Sequence, residues 1–220
     1  MSLEALSFLW GETMTTVEEL VREIEELRER HEKAEQKRIE QRIARGQRPE
    51  PPEPFVDPVL SAVLAERIQP VVKYGLAIAE MFANGYKLPI DMSQFDKYRI
   101  DIDLLKMSVV PRYKSEARTA DHVLKILSEY TANEINNKTV ARGIANLFRL
   151  DDMREKVRES RIRRGKLQPY ESDEELTELE ALAKQLVSDD DRFQALYSDT
   201  IKRYKEIESE LDEPIYNKLW

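Results

Sequence analysis

The chain has 220 residues, 35% of them charged, a formal net charge of -8 and a pI near 5.1, with six glycines and no cysteine. At this length it can bury roughly 70% of the surface its unfolded form exposes, so it needs no covalent or metal staples. The lack of cysteine excludes disulfide frameworks, thiolate zinc sites, iron–sulfur clusters and cysteine nucleophiles, and His31 and His122 alone give histidine-based metal or triad chemistry little to work with.

A glycine-poor, charge-rich, aromatic-poor chain predicts an all-α fold, here a helical bundle of about six to eight helices with a long charged N-terminal helix and a proline-rich linker. Leu3 to Trp10 reads as a short apolar helix ending at Gly11. Thr15 or Thr16 then caps a long helix, with Glu18 and Glu19 in its positive first turn. Val17, Leu20, Val21, Ile24 and Leu27 recur at three and four, so this half packs. From Arg28 to Arg48 eight basic and four acidic residues crowd out the apolar ones, which predicts a second half that projects, and Gly46 is a plausible stop. Five prolines between Pro49 and Pro58 predict an extended connection, read first as a loop crossing between helices. The expected organisation is an N-terminal arm over 1–48, a linker over 49–58, a bundle over 59–211 and a tail over 212–220.

Pro58 to Asn84 is the most apolar stretch and the expected central core, kinked or split at Pro70 and closed by Asn84-Gly85. Ile100, Ile102 and Leu104 alternate with charges, which allows a short strand or extended segment before a DLLKMSVV turn and Pro111. Ser115 or Thr119 opens a helix carrying Ala120, Val123, Leu124, Leu127 and Tyr130, with His122 at its edge. Val140, Ile144, Leu147 and Phe148 make another, Asp151 or Asp152 caps a further one, and Gly165 ends it. Ser172 and Glu175 form a capping box, and Ser188-Asp189 caps a last helix carrying Phe193 to Leu211.

Chemistry-bearing motifs are missing: there is no G-x-x-x-x-G-K-[ST], G-x-G-x-x-G, G-x-S-x-G, H-E-x-x-H or EF-hand pattern. Asp101 and Asp103 have the D-x-D spacing that lets two carboxylates share a face of an extended segment, though exposed edges show the same pattern. The sequence therefore predicts no enzyme, no cofactor and no metal. It also predicts no membrane span and a cytoplasmic protein, since no uncharged run nears 18 residues and Met1–Gly11 lacks a basic flank and a cleavage pattern.

Charge is polarised along the chain. Phe95–Lys166 holds 17 basic and 11 acidic residues, and Glu171–Glu213 holds 5 and 15. Such asymmetry fits a charged partner, self-association of adjacent copies, or solvated helices. The densest run is Arg154–Lys166, with seven basic residues in thirteen. On a helix Arg154, Arg158 and Arg161 line one face, and Arg163, Arg164 and Lys166 gather at its end. Guanidinium forks match phosphate oxygens, whereas the helix dipole alone asks for fewer cations. With Arg112, Lys114 and Arg118 these six form the candidate nucleic-acid-binding set, and Tyr98 and Tyr113 offer weak stacking partners. No base-reading module stands out, so binding would be to RNA or DNA backbone, sequence-independent and salt-dependent.

The segment YKLPIDMSQFDKYRIDIDLLKMSVVPRYKSEARTADHVLKIL, residues 86–127, with the helices that follow it, resembles the C-terminal helical portion of the large subunit of type I-D CRISPR–Cas effector complexes, over about Glu53 to Leu211. The family's polymerase-like and nuclease signatures are absent. The resemblance implies a non-catalytic, small-subunit-like bundle that contacts nucleic-acid backbone and bridges neighbouring subunits of an RNA-guided complex. The alternative is a helical protein–protein interaction or scaffold module without nucleic acid.

Overall fold

Asp57 starts the helix on which the fold is built. Its carboxylate accepts from the Leu60 amide at 2.8 Å, and Pro58 supplies the preset φ of a first helical residue. This is a computed structural model that describes residues 14–47, 52–166, 170, 172–187, 197–198, 200–202 and 204–207. In chain order the helices are α1 (Met14–Ala44), α2 (Pro58–Ala83), a 3-10 helix (Met92–Tyr98), α3 (Arg99–Lys106), α4 (Pro111–Thr131), α5 (Asn137–Arg163) and α6 (Asp173–Val187), followed by helical residues between 197 and 207. No strand occurs among the described residues, so the chain is an all-α bundle. The helix read over Leu3–Trp10 and the cap at Ser188-Asp189 lie outside the described residues.

Helix α2 is the hub. Val59, Leu60, Val63, Leu64, Ile68 and Val71 are buried almost completely, and α3, α4, α5 and α6 all pack against it. It ends as the Asn84-Gly85 pair predicts: Gly85 takes φ +87° and its amide donates to the Phe82 carbonyl at 3.1 Å. Pro70 does not split it. The proline lies on the exposed side, where its ring is accommodated without disturbing the buried stripe. Leu76, placed in the core by its neighbours in sequence, faces solvent.

Three further expectations are corrected. Residues 99–106 are helical, not extended, because Tyr98, Ile102 and Leu105 also fall at i, i+4 and i+7 and the preceding turn is already helical, capped by Asp91 on Ser93. Helix α4 begins at Pro111, not at Ser115 or Thr119. Both hydroxyls instead donate to Asp151 of α5, at 3.4 and 2.7 Å. Asp151 consequently caps nothing, and α5 runs unbroken from the true cap Asn136, whose side chain accepts from Thr139 N–H, to Arg163 before Gly165 at φ +61°.

The Ser172–Glu175 capping box is present: Glu175 N–H donates to Ser172 Oγ at 3.2 Å, and Ser172 N–H to Glu175 Oε2 at 3.1 Å. Leu176, Leu179 and Ala183 then seat α6 on α2. Removing the hydroxyl by Ser172→Ala should cost about 1 kcal/mol in chemical denaturation, the usual value of an N-cap.

The proline-rich segment is a docked strap. Pro54, Val56 and Asp57 are buried; Glu53 N–H donates to Glu35 of α1 at 2.9 Å, and Arg38 ties Glu35 to the same place at 2.8 Å. His31 contacts the Glu53 carbonyl at 3.1 Å and its ring meets Phe55. The expected projecting half of α1 is thus anchored as far as Arg38. Thr15 and Thr16 lie within α1.

Burial pushes the Asp57 carboxyl up, against the Leu60 N–H and Arg28, which hold it down. Asp57→Asn keeps an acceptor for the cap without a buried charge, and Asp57→Ala removes the cap. Thermal unfolding at pH 7 should rank the variants Asn above Ala, with Ala down by about 0.5–2 kcal/mol.

Candidate nucleic-acid interface

Side chains of α4 and of the start of α6 reach the second half of α5. Arg112 of α4 reaches Glu116 on its own helix at 3.2 Å and Glu180 on α6 at 3.4 Å. Arg154 lies against Asp151 and Ser115, both at 2.7 Å. Arg158 is nearly buried, donating to Glu155 at 2.9 Å and to Asp173 at 2.8 Å. These pairs raise the Arg158 guanidinium above its ordinary value, the Glu155 hydrogen bond contributing most, and the same bond draws Glu155 down. Burial raises Glu116, opposed by Arg112. These three arginines of the candidate set therefore join α4, α5 and α6.

Lys114 points the other way, toward the strap. Burial, then Arg118, hold its ammonium below the ordinary value, while Glu53 pulls it up. Burial lifts Glu53 itself, and Glu35 adds to that. Arg118 is half-buried, and His122 Nδ1 lies 2.7 Å from its carbonyl oxygen. Arg161 is half-buried and interacts within the chain.

Arg163, Arg164 and Lys166 differ from the rest. All three are exposed at the end of α5, turned outward around Gly165, and none forms an ion pair with a described residue. The nine residues thus divide: an internally paired group, a half-buried pair on α4, and an exposed cluster of three cations. Of the two tyrosines, Tyr113 is buried and Tyr98 is half-buried beneath Lys97, whose Nζ lies 4.9 Å from its ring, so Tyr113 offers no stacking face. Buried Tyr113 finds no hydrogen-bond partner among the described residues, and burial followed by Glu180 pushes its hydroxyl well up.

The D-x-D pair is turned apart by the helix it lies on. Asp101 binds Arg67 at 2.9 Å and Asp103 binds Lys106 at 3.2 Å. Among the described residues no three acidic or histidine side chains gather as a metal-holding group, and no helix is long and apolar enough to cross a membrane.

Sequence reasoning passed over Arg142, Arg149 and the apolar residues Leu150, Met153 and Val157, which line the outward side of α5. Their signal is a second apolar stripe, roughly a third of a turn around the helix from the buried Val140–Ile144 one. No family model matches the chain, and comparisons with curated proteins and with solved structures likewise find no match.

Proposed function

We propose that this chain is a non-catalytic helical subunit of a nucleoprotein complex that holds nucleic-acid backbone through the end of α5. The observation that carries the reading is the cluster Arg163, Arg164 and Lys166: three exposed cations within four residues, with no acidic partner among the described residues. A helix C-terminus favours cations by its dipole, and three outward side chains around a left-handed glycine form a phosphate clamp as well. Arg154 bonds Ser115 of α4 and Arg158 pairs with Asp173 of α6, while Arg112 ties α4 to α6, and these contacts would fix the position of that clamp. The resemblance of residues 86–127 to the type I-D large-subunit portion suggests that the complex is RNA-guided, with base pairing reading sequence and this chain supporting backbone.

The test is fluorescence anisotropy with labelled single- and double-stranded oligonucleotides over a salt series. The unaltered chain should bind without sequence preference. Changing Arg163, Arg164 and Lys166 to Glu together should weaken binding at least tenfold. It should also flatten the salt slope by up to about 0.9 for each duplex phosphate no longer neutralised. Unchanged affinity in that variant would remove the assignment. A second reading, a protein-interaction module without nucleic acid, is favoured by the exposed Leu150, Met153 and Val157, and absence of oligonucleotide binding at low salt would select it.

A further inference from the structure

We infer that the outward face of α5 docks an acidic amphipathic helix of another protein. Leu150, Met153 and Val157 are 49%, 58% and 52% exposed. They fall at i, i+3 and i+7, one stripe over two turns and about 10 Å long, on a face roughly a third of a turn around α5 from buried Val140 and Ile144. Single exposed apolar side chains are ordinary; three in register on one helix face form a surface that water covers at a cost.

What borders the stripe identifies its occupant. Arg149 and Lys156 flank it along one side, and Arg142 continues their row about two turns nearer the start of α5; all three are exposed and none is in an ion pair with a described residue. A second α5 laid antiparallel on this face would bring the two cation rows together, and laid parallel would set each row against Arg154 and Arg161 on the other edge. The outward residues of α6, Glu174, Thr177 and Glu178, are acidic but have no large apolar group to seat on the stripe, so the partner is not another copy of this bundle face. Leucine, methionine and valine have no ring on which bases could stack, and a stripe this short without Trp or Phe is a poor lipid anchor. A helix with apolar anchors at i, i+3 and i+7 and Glu or Asp beside them matches both the stripe and its border. The inference does not depend on nucleic-acid binding, whose cations lie one turn and more beyond Val157.

The probe is a fluorescently labelled synthetic helix with Leu at i, i+3, i+7 and i+10 and flanking Glu, compared with an isomer of identical composition whose leucines are scattered around the helix. The full chain should bind the patterned peptide at least tenfold more tightly. Met153→Ser with Val157→Ser should abolish that preference while leaving oligonucleotide binding unchanged, and Arg149→Glu with Lys156→Glu should weaken peptide binding at least tenfold. All four positions are exposed, and matching circular dichroism melts would confirm intact folds. Equal binding of the two peptides would overturn the proposal. So would a solution dimer dissolved by Met153→Glu, displacement of the peptide by anionic phosphatidylserine vesicles, or loss of oligonucleotide binding in the Met153/Val157 variant.

Discussion

Replacing Lys106 by Met is expected to destabilise the fold by about 3–5 kcal/mol at pH 7, the range for removing one partner of a buried ion pair. The Lys106 side chain is 6% exposed and binds Asp103 at 3.2 Å and Asp121 at 2.9 Å, and Asp103 also accepts from Tyr204 at 3.1 Å. Burial already raises the Asp103 carboxyl, with Lys106 and then Tyr204 opposing it. Without Lys106 the folded carboxyl rises further above its unfolded value of about 3.9. The folded state then takes up a proton that the unfolded state does not, so the deficit is full near neutrality and shrinks as pH falls through the raised folded value. Urea denaturation followed by far-UV circular dichroism at pH 7 and pH 5 reads both effects. Adding Asp103→Asn, which removes the stranded charge and keeps an acceptor for Tyr204, should recover much of the loss. A pH-independent deficit would contradict the account.

Gly75→Leu should cost about 3 kcal/mol, the upper part of the range for overpacking a filled core. At the crossing of α2 and α4 a Cβ on residue 75 would lie 2.6 Å from Val123 Cγ1 and 3.1 Å from Cγ2. Val123 is fully buried, and a β-branched side chain in a helix has one strongly preferred rotamer, so it cannot swing aside. The two helices must separate instead, which uncovers the most apolar part of the molecule. Gly75→Ala meets the same atoms but gains about 1 kcal/mol of helix propensity, so it falls between Leu and the unaltered chain. Combining Gly75→Leu with Val123→Ala should return part of the loss. Equal stability of Gly75→Leu and the parent chain would show that the crossing is not close.

Features decided by near neighbours in the chain were legible in its sequence. The Asn84-Gly85 stop, the Ser172–Glu175 box and the all-α class rest on hydrogen bonds within a turn and on apolar periodicity. Features decided by a distant helix were not. Ser115 and Thr119 look like caps because short polar side chains favour helix starts, yet their acceptor is Asp151, more than thirty residues on. Residues 100–104 satisfy period two and a helical period at once, and the turn before them decides. In the basic run the helical spacing of Arg154 and Arg158 was readable. That Ser115 and Asp173 occupy them was not, because those partners come from α4 and from the start of α6. The exposed cluster at Arg163, Arg164 and Lys166 kept the character its composition suggests, since nothing from another described element reaches it.

Helix α2 ends at Ala83, and α6, which covers much of it, begins at Asp173. During synthesis at about 5–20 residues per second, the most apolar helix of the chain therefore leaves the ribosome seconds before this late cover. In that interval the nascent chain presents bare α2 surface to other chains and to chaperones, and the long separation adds a loop-closure cost to the final docking. The hub that joins the finished bundle is thus also the segment through which an unfinished one aggregates.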